Sequence, residues 1–257
     1  MKTSINLCVF IFCALLLFTS CEGRKTSSAS GSIVVATNSW TAAYARVAGA
    51  DSIVVLTPAN MLHPSEYELR PSDIPKLMNA TIIVYAGYEV MTERLQKGLD
   101  LPEDKLLLLS TDYSYESIAQ SVMELANKLG TEQIARENLL EIRQVFNEGK
   151  KAVIEKRLDG ARVVVHRFHA SLARELGLVP VVVFGPNDPE AADLVSVSKT
   201  GASFILDNRH NPVGQPFRQV LPFALYKQLL NFPGLAGTKT LSDVLRYNIS
   251  QILRSPI

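Results

Sequence analysis

Residues 33–56 read "IVVATNSWTAAYARVAGADSIVVL". Two short apolar runs, IVVAT at 33–37 and IVVL at 53–56, flank WTAAYARVAG at 40–49. Near-continuous apolar runs of this length read as strands buried on both faces. The stretch between them has helical composition. Strand, helix, strand in that order implies parallel pairing in an α/β sheet.

The pattern continues outward. TIIVYAG (81–87) and KLLLLS (105–110) read as two more strands, and PSDIPKLMNA (71–80) as a helix. Pro71, Ser72 and Asp73 are helix-start residues. A long helical middle follows. Residues 114–130 carry Ser114 as a cap and Gly130 as a stop. Residues 131–158 place Ile134, Leu139, Ile142, Val145, Phe146 and Val153 at helical spacing with charge on the other side. A helix of about 25 residues spans about 37 Å, enough for a rod joining two lobes.

The alternation then restarts. Strands are expected at 161–168, 179–185 and 202–208, with 226–232 a weaker fourth, and helices at 188–201 and 240–253. The expected fold is α/β: two small lobes with mainly parallel sheets, 32–113 and 159–257, joined by a helical connector at 114–158. No sequence repeat links the lobes. Ligands of open α/β sheets sit beyond the carboxyl ends of the strands, which points to the cleft between lobes.

The chain has 257 residues, 47% hydrophobic and 20% charged, with a formal net charge of +1. Near-neutral charge gives no reason to expect nucleic acid. Residues 1–20 differ from the rest. Lys2 precedes INLCVFIFCALLLF (5–18), an apolar run of signal-peptide length and short for a membrane span. Thr19 and Ser20 then stand before Cys21, which resembles the lipobox of bacterial lipoproteins and makes Cys21 the expected lipid attachment. Residues 21–31 are polar and rich in Gly and Ser, suited to a flexible tether. The three cysteines are Cys8, Cys13 and Cys21, so the expected folded part has no thiol. Any metal there must be held by nitrogen and oxygen.

Four histidines remain: His63, His166, His169 and His210. Each lies at or just beyond the carboxyl end of an expected strand, and Asp207 precedes His210 at one of them. A single loop histidine reads as a surface or capping residue; four so placed read as one site. Neutral imidazoles and a carboxylate suit zinc, manganese or ferrous iron.

Five segments in order now carry a resemblance. Residues 33–58, the segment HPSEYELRPSDIPKLMNATIIVYAGYE, VVVHRFHASLARELGL, GPNDPEAADLVSVSKTGASFILDN, and LLNFPG followed by TLSDVLRYN are similar to segments of the metal-binding lipoproteins of bacterial ABC importers, the TroA-like zinc and manganese cluster. That resemblance implies two α/β lobes around a rigid helix. It implies an extracytoplasmic, membrane-anchored monomer that captures divalent zinc or manganese and passes it to an ABC transporter permease. It implies no organic cofactor and no catalysis.

The site departs from the family pattern. His63 sits two places before the usual ligand position, which is Ser65 here. The second histidine ligand is absent from STDYSYES (110–117), where Asp112 and Tyr113 are poor substitutes. His166 matches the third ligand. Asp207 stands where the family has Glu, Asp or His, and Asn231 replaces the final aspartate. The expected metal residues are therefore His63, His166 and Asp207, then His210 and Asn231, then His169. The alternatives are a degenerate-site member binding another small ligand or a metal complex, with Arg167 and Arg209 flanking the site, or a surface adhesin. A metal-assisted hydrolase using Glu66 or Glu68 lacks any supporting motif.

Overall fold

A computed structural model describes residues 31–58, 61 and 63–254. The expected signal segment, nearly all of the tether and Cys21 lie outside the described residues. Two four-stranded parallel sheets form the frame. The first contains β1 (Ile33–Ala36), β2 (Ser52–Val55), β3 (Ile82–Tyr85) and β4 (Leu106–Leu108), in the order β2-β1-β3-β4. The second contains β5 (Arg162–His166), β6 (Val179–Phe184), β7 (Phe204–Asn208) and β8 (Leu225–Leu229), in the order β6-β5-β7-β8. The order is the same in both. The lobes thus repeat in topology though not in sequence.

Alternation along the strands explains how each sheet is covered. Val34 and Ala36 face one apolar core while Val35, between them, faces another. Val163 and Val165 likewise share the first core, and Val164 joins a third. Side chains of period two must divide this way when both faces of a sheet are covered.

The first core is common to both sheets and is built around helices. These are α1 (Ser39–Val47), α3 (Tyr115–Leu129), α4 (Glu132–Glu155), α5 (Ala170–Glu175) and α8 (Leu241–Leu253), while α2 (Ile74–Asn79), α6 (Ala191–Ser198) and α7 (Phe217–Val220) complete the set. Asn38 caps α1 by accepting from the N–H groups of Trp40 and Thr41. Ser114 caps α3, and Gly130 ends it in the left-handed conformation at φ 70°. α4 is 24 residues long, about 36 Å. It buries Ala135, Leu139, Ile142, Val145, Phe146 and Val153. It packs on α1 and α3 beside the first sheet and on α8 beside the second. At Gly149 a Cβ would lie 2.6 Å from Ile249 Cδ1 of α8, so glycine permits this close helix crossing. One apolar core therefore runs from sheet to sheet through α4.

Among the described residues no helix is long and apolar enough to cross a membrane.

Candidate metal centre

The carboxyl ends of five strands lead into one cleft. β1 delivers Asn38 and Trp40, β3 delivers Tyr88, β5 delivers Phe168, β7 delivers Asn208 and His210, and β8 delivers Asn231 and Phe232. These residues line a cavity of about 340 Å³ together with His63 and Glu66. Its walls are aromatic and join the two sheets. The Trp40 ring centroid lies 6.0 Å from Phe168, edge to face, and 6.2 Å from Phe232. Tyr88 lies 6.2 Å from Phe168.

The polar stretch at 63–73 divides into two parts. His63 is solvent-exposed, precedes a short turn at Pro64–Glu66, and borders the cavity. The remainder is internally bonded. Asp73 is buried and accepts from the Tyr67 hydroxyl at 2.7 Å, the Arg70 N–H at 3.0 Å and the Lys76 ammonium at 2.8 Å. Burial alone would raise its pKa, yet those bonds hold the carboxyl below the usual range. Asp73 thus braces the loop that presents His63.

His166, at the end of β5, is fully buried and is not part of the cavity wall. Its Nδ1 accepts a long hydrogen bond, 3.4 Å, from the Phe168 N–H, and its Nε2 has no partner among the described residues. Gly185 packs directly on this ring. A Cβ there would lie 2.5 Å from Nε2, and φ is +77°, so both space and backbone demand glycine. His169 is also fully buried, its ring 6.3 Å from that of His166. Neither of its ring nitrogens has a partner among the described residues.

His210 does border the cavity. Its ring stacks on Phe232 at 3.8 Å and its Nδ1 accepts from the Asn231 N–H at 3.4 Å. Among the described residues its Nε2, the Asn231 Oδ1 and the Trp40 Nε1–H are buried without a partner. The 3.4 Å contacts at Nδ1 favour neutral His166 and His210 with the proton on Nε2; a cation at Nε2 would take the other tautomer.

Burial keeps these rings neutral. It lowers the pKa of His166 to about 4, helped by Arg167, and that of His210 to about 4, helped by Arg209 and His63. Burial, then the neighbouring His166 and His210, pushes His169 well below its usual value.

Asp207 is buried but committed elsewhere. It accepts from the Asn208 N–H at 2.8 Å, from the Gly214 N–H at 2.9 Å and from the Tyr226 hydroxyl. Both oxygens are used, and the residue does not line the cavity. Burial outweighs these bonds and raises its pKa.

No protein-family model matches the sequence, and no curated protein matches it. Solved structures do match. The SBP FpvC from Pseudomonas aeruginosa in complex with Mn2+ is 18% identical, with a TM-score of 0.68 over 87% of this chain and 98% of that one. The Mn-bound periplasmic metal binding protein from Candidatus Liberibacter asiaticus is also 18% identical, with a TM-score of 0.66 over 86% of this chain and 98% of that one. The same protein in Cd-bound form is 17% identical, with a TM-score of 0.65 over the same shares. The fold is that of the periplasmic metal-binding proteins.

No three His, Cys, Asp or Glu side chains among the described residues are grouped to hold a metal ion. His63 and His210 meet at the cavity, with Asn231 beside them, whereas His166, His169 and Asp207 lie outside its wall. The aromatic lining carries the same sequence signal as the histidines: Trp40, Tyr88, Phe168 and Phe232 each follow a strand end within four residues.

Proposed function

We propose that this chain is an extracytoplasmic solute-binding lipoprotein that captures a divalent transition metal, manganese or zinc, and delivers it to an ABC permease. The observation that carries the reading is the unpartnered polar set at the carboxyl ends of β5, β7 and β8. Among the described residues both ring nitrogens of His169, the Nε2 of His166 and of His210, and the Asn231 Oδ1 are buried without a hydrogen-bond partner. Buried polar groups without partners cost stability, and a ligand that engages them gives a reason for their presence. The relatives in fold include a binding protein in complex with Mn2+ and another in Mn-bound and Cd-bound forms.

In this reading lobes 32–113 and 159–257 flank the connector 114–158. The signal segment 1–20 exports the chain, and lipid on Cys21 holds it to a membrane through the tether. His63, His210 and Asn231 are the favoured candidate metal residues by their place on the cavity, with the buried His166 and His169 next, while Asp207, its oxygens taken by Asn208, Gly214 and Tyr226, is left as a brace. The core shared through α4 opposes wide hinge motion, so release falls to the loop around His63.

Equilibrium dialysis against micromolar Mn2+ and Zn2+ tests capture. One cation per chain, weakened at least tenfold by His210→Ala, is expected. Retention by neither the free ions nor their complexes would leave an adhesin-like role. Labelling with radioactive palmitate, lost in Cys21→Ala, tests the anchor.

A further inference from the structure

The strands of the second sheet are parallel, so their amino ends share one edge, opposite the cleft. Helices that alternate with parallel strands run back the other way, which brings the carboxyl ends of α4, α6 and α8 to that same edge. Backbone bonds tie the turns there together. The Gly160 N–H donates to Gly177, Val179 to Ala161, Ser203 to Arg162 and Leu225 to Ser203.

This edge is basic. Lys156 and Arg157 follow α4, Arg162 opens β5, Lys199 follows α6 and Arg254 follows α8, and all five are exposed. Arg162 Nε donates to the Thr200 carbonyl at 2.9 Å, and the Lys227 ammonium donates to the Arg254 carbonyl at 2.7 Å. The exposed carboxylates on the same turns are Glu155 and Asp159. Glu155 already faces Lys151 at 3.8 Å. Among the described residues none of the five cations makes an ion pair.

Apolar side chains stand among these charges. Ile154 is 54% exposed, Val179 44% and Phe223 96%. Phe223 follows the exposed Pro222 in the turn between α7 and β8, so its ring touches almost nothing in the protein and supports no core. Basic groups suit the negative ends of helix dipoles, but that does not account for a phenyl ring held in water beside them. Cations interleaved with apolar tips fit a bilayer surface. Anionic headgroups draw Lys and Arg, while the apolar tips reach the acyl boundary. A soluble polyanion would engage the charges and leave Phe223 in water.

We propose that the amino edge of the second sheet docks on an anionic lipid bilayer. Phe223 enters the headgroup boundary, and Lys156, Arg157, Arg162, Lys199 and Arg254 lie over the phosphates. The cleft, at the other ends of the strands, stays clear of the lipid. Docking of this kind needs neither a bound metal nor lipid on Cys21.

Residues 31–257 form one compact unit and lack the apolar run 5–18 and Cys21, either of which would carry the chain to lipid by itself. That unit is sedimented with vesicles of phosphatidylcholine alone and with vesicles of equal parts phosphatidylcholine and phosphatidylglycerol. Each Lys or Arg near an anionic surface strengthens binding roughly fivefold. Partition at least tenfold higher on the mixed vesicles is therefore expected, weakening as added salt screens the charges. Phe223→Ser should lower it at least threefold, and Lys156→Gln with Lys199→Gln at least tenfold. All three positions are exposed, so melting temperatures should stay within about 2 °C of wild type. Equal partition on both vesicle types, or none on either, overturns the inference. So does wild-type partition by Phe223→Ser, which would assign the edge to a soluble polyanion.

Discussion

The imidazole of His210 lies 3.8 Å from the ring of Phe232, centroid to centroid, with 31° between their planes. The same ring receives the Asn231 N–H on Nδ1. Two consecutive residues after β8 therefore fix the orientation of a histidine after β7, and its Nε2 is buried without a partner among the described residues. A binding group held by packing and by a backbone bond is preorganised, so little is lost in ordering it when ligand arrives.

Removing that support without touching His210 should therefore lower affinity. Phe232→Leu keeps an apolar side chain but not the stacking plane. Manganese retention in dialysis is expected to fall five- to tenfold, with a melting temperature within about 3 °C of wild type. Unchanged retention would show that the stack does not position the imidazole.

His169 sets stability against use. Its two ring nitrogens are buried without partners among the described residues, a condition that costs about 1–3 kcal/mol. Replacing it by leucine, a similar volume with no polar atom, is expected to raise the stability of the metal-free protein by about 1 kcal/mol or more. Urea unfolding checks this. A clear loss of stability would mean that the imidazole is satisfied in solution and has no need of a ligand.

Asp207 should behave as a brace. Asp207→Ala leaves the Tyr226 hydroxyl and the N–H groups of Asn208 and Gly214 without their acceptor. A loss of about 2–4 kcal/mol in the metal-free protein is expected, at the upper end of single substitutions. An Asp207 that served only as a metal ligand would show the reverse, stabilising the metal-free protein when removed.

Strand and helix order was legible because β1 and β3 are apolar runs and β5 and β7 have buried apolar centres, Val163–Val165 and Phe204–Leu206. β8, LYKQL, was faint because it lies at a sheet edge, where Lys227 and Gln228 are tolerated. The cleft was legible as a place, since histidines collect after strand ends. Which of them line it was not. Asp207 and His210 are three residues apart, yet one is consumed by Tyr226 and Gly214 while the other faces the cavity, and only tertiary contacts separate them. The tautomers were equally hidden, because each depends on a backbone N–H brought close by folding.

Acid should unfold the metal-free protein early. His166 and His210 have folded pKa values of about 4, below the unfolded value of about 6.5. The unfolded chain therefore takes up protons first, and stability falls as pH drops from about 6.5 to about 4. The difference is worth roughly 3 kcal/mol per ring at its limit. Urea unfolding at intervals from about pH 7 to about pH 4 should show this slope, reduced in His210→Gln. A flat profile would mean that the rings are open to water.

The claim that matters most is that a divalent cation is held in the cleft bounded by His210, Asn231 and Trp40. Anomalous diffraction at the manganese edge, from crystals grown with Mn2+, tests it directly. One strong peak is expected inside the cavity lined by His63, His210 and Asn231. A peak confined to other parts of the surface, or none at saturating manganese, would contradict it.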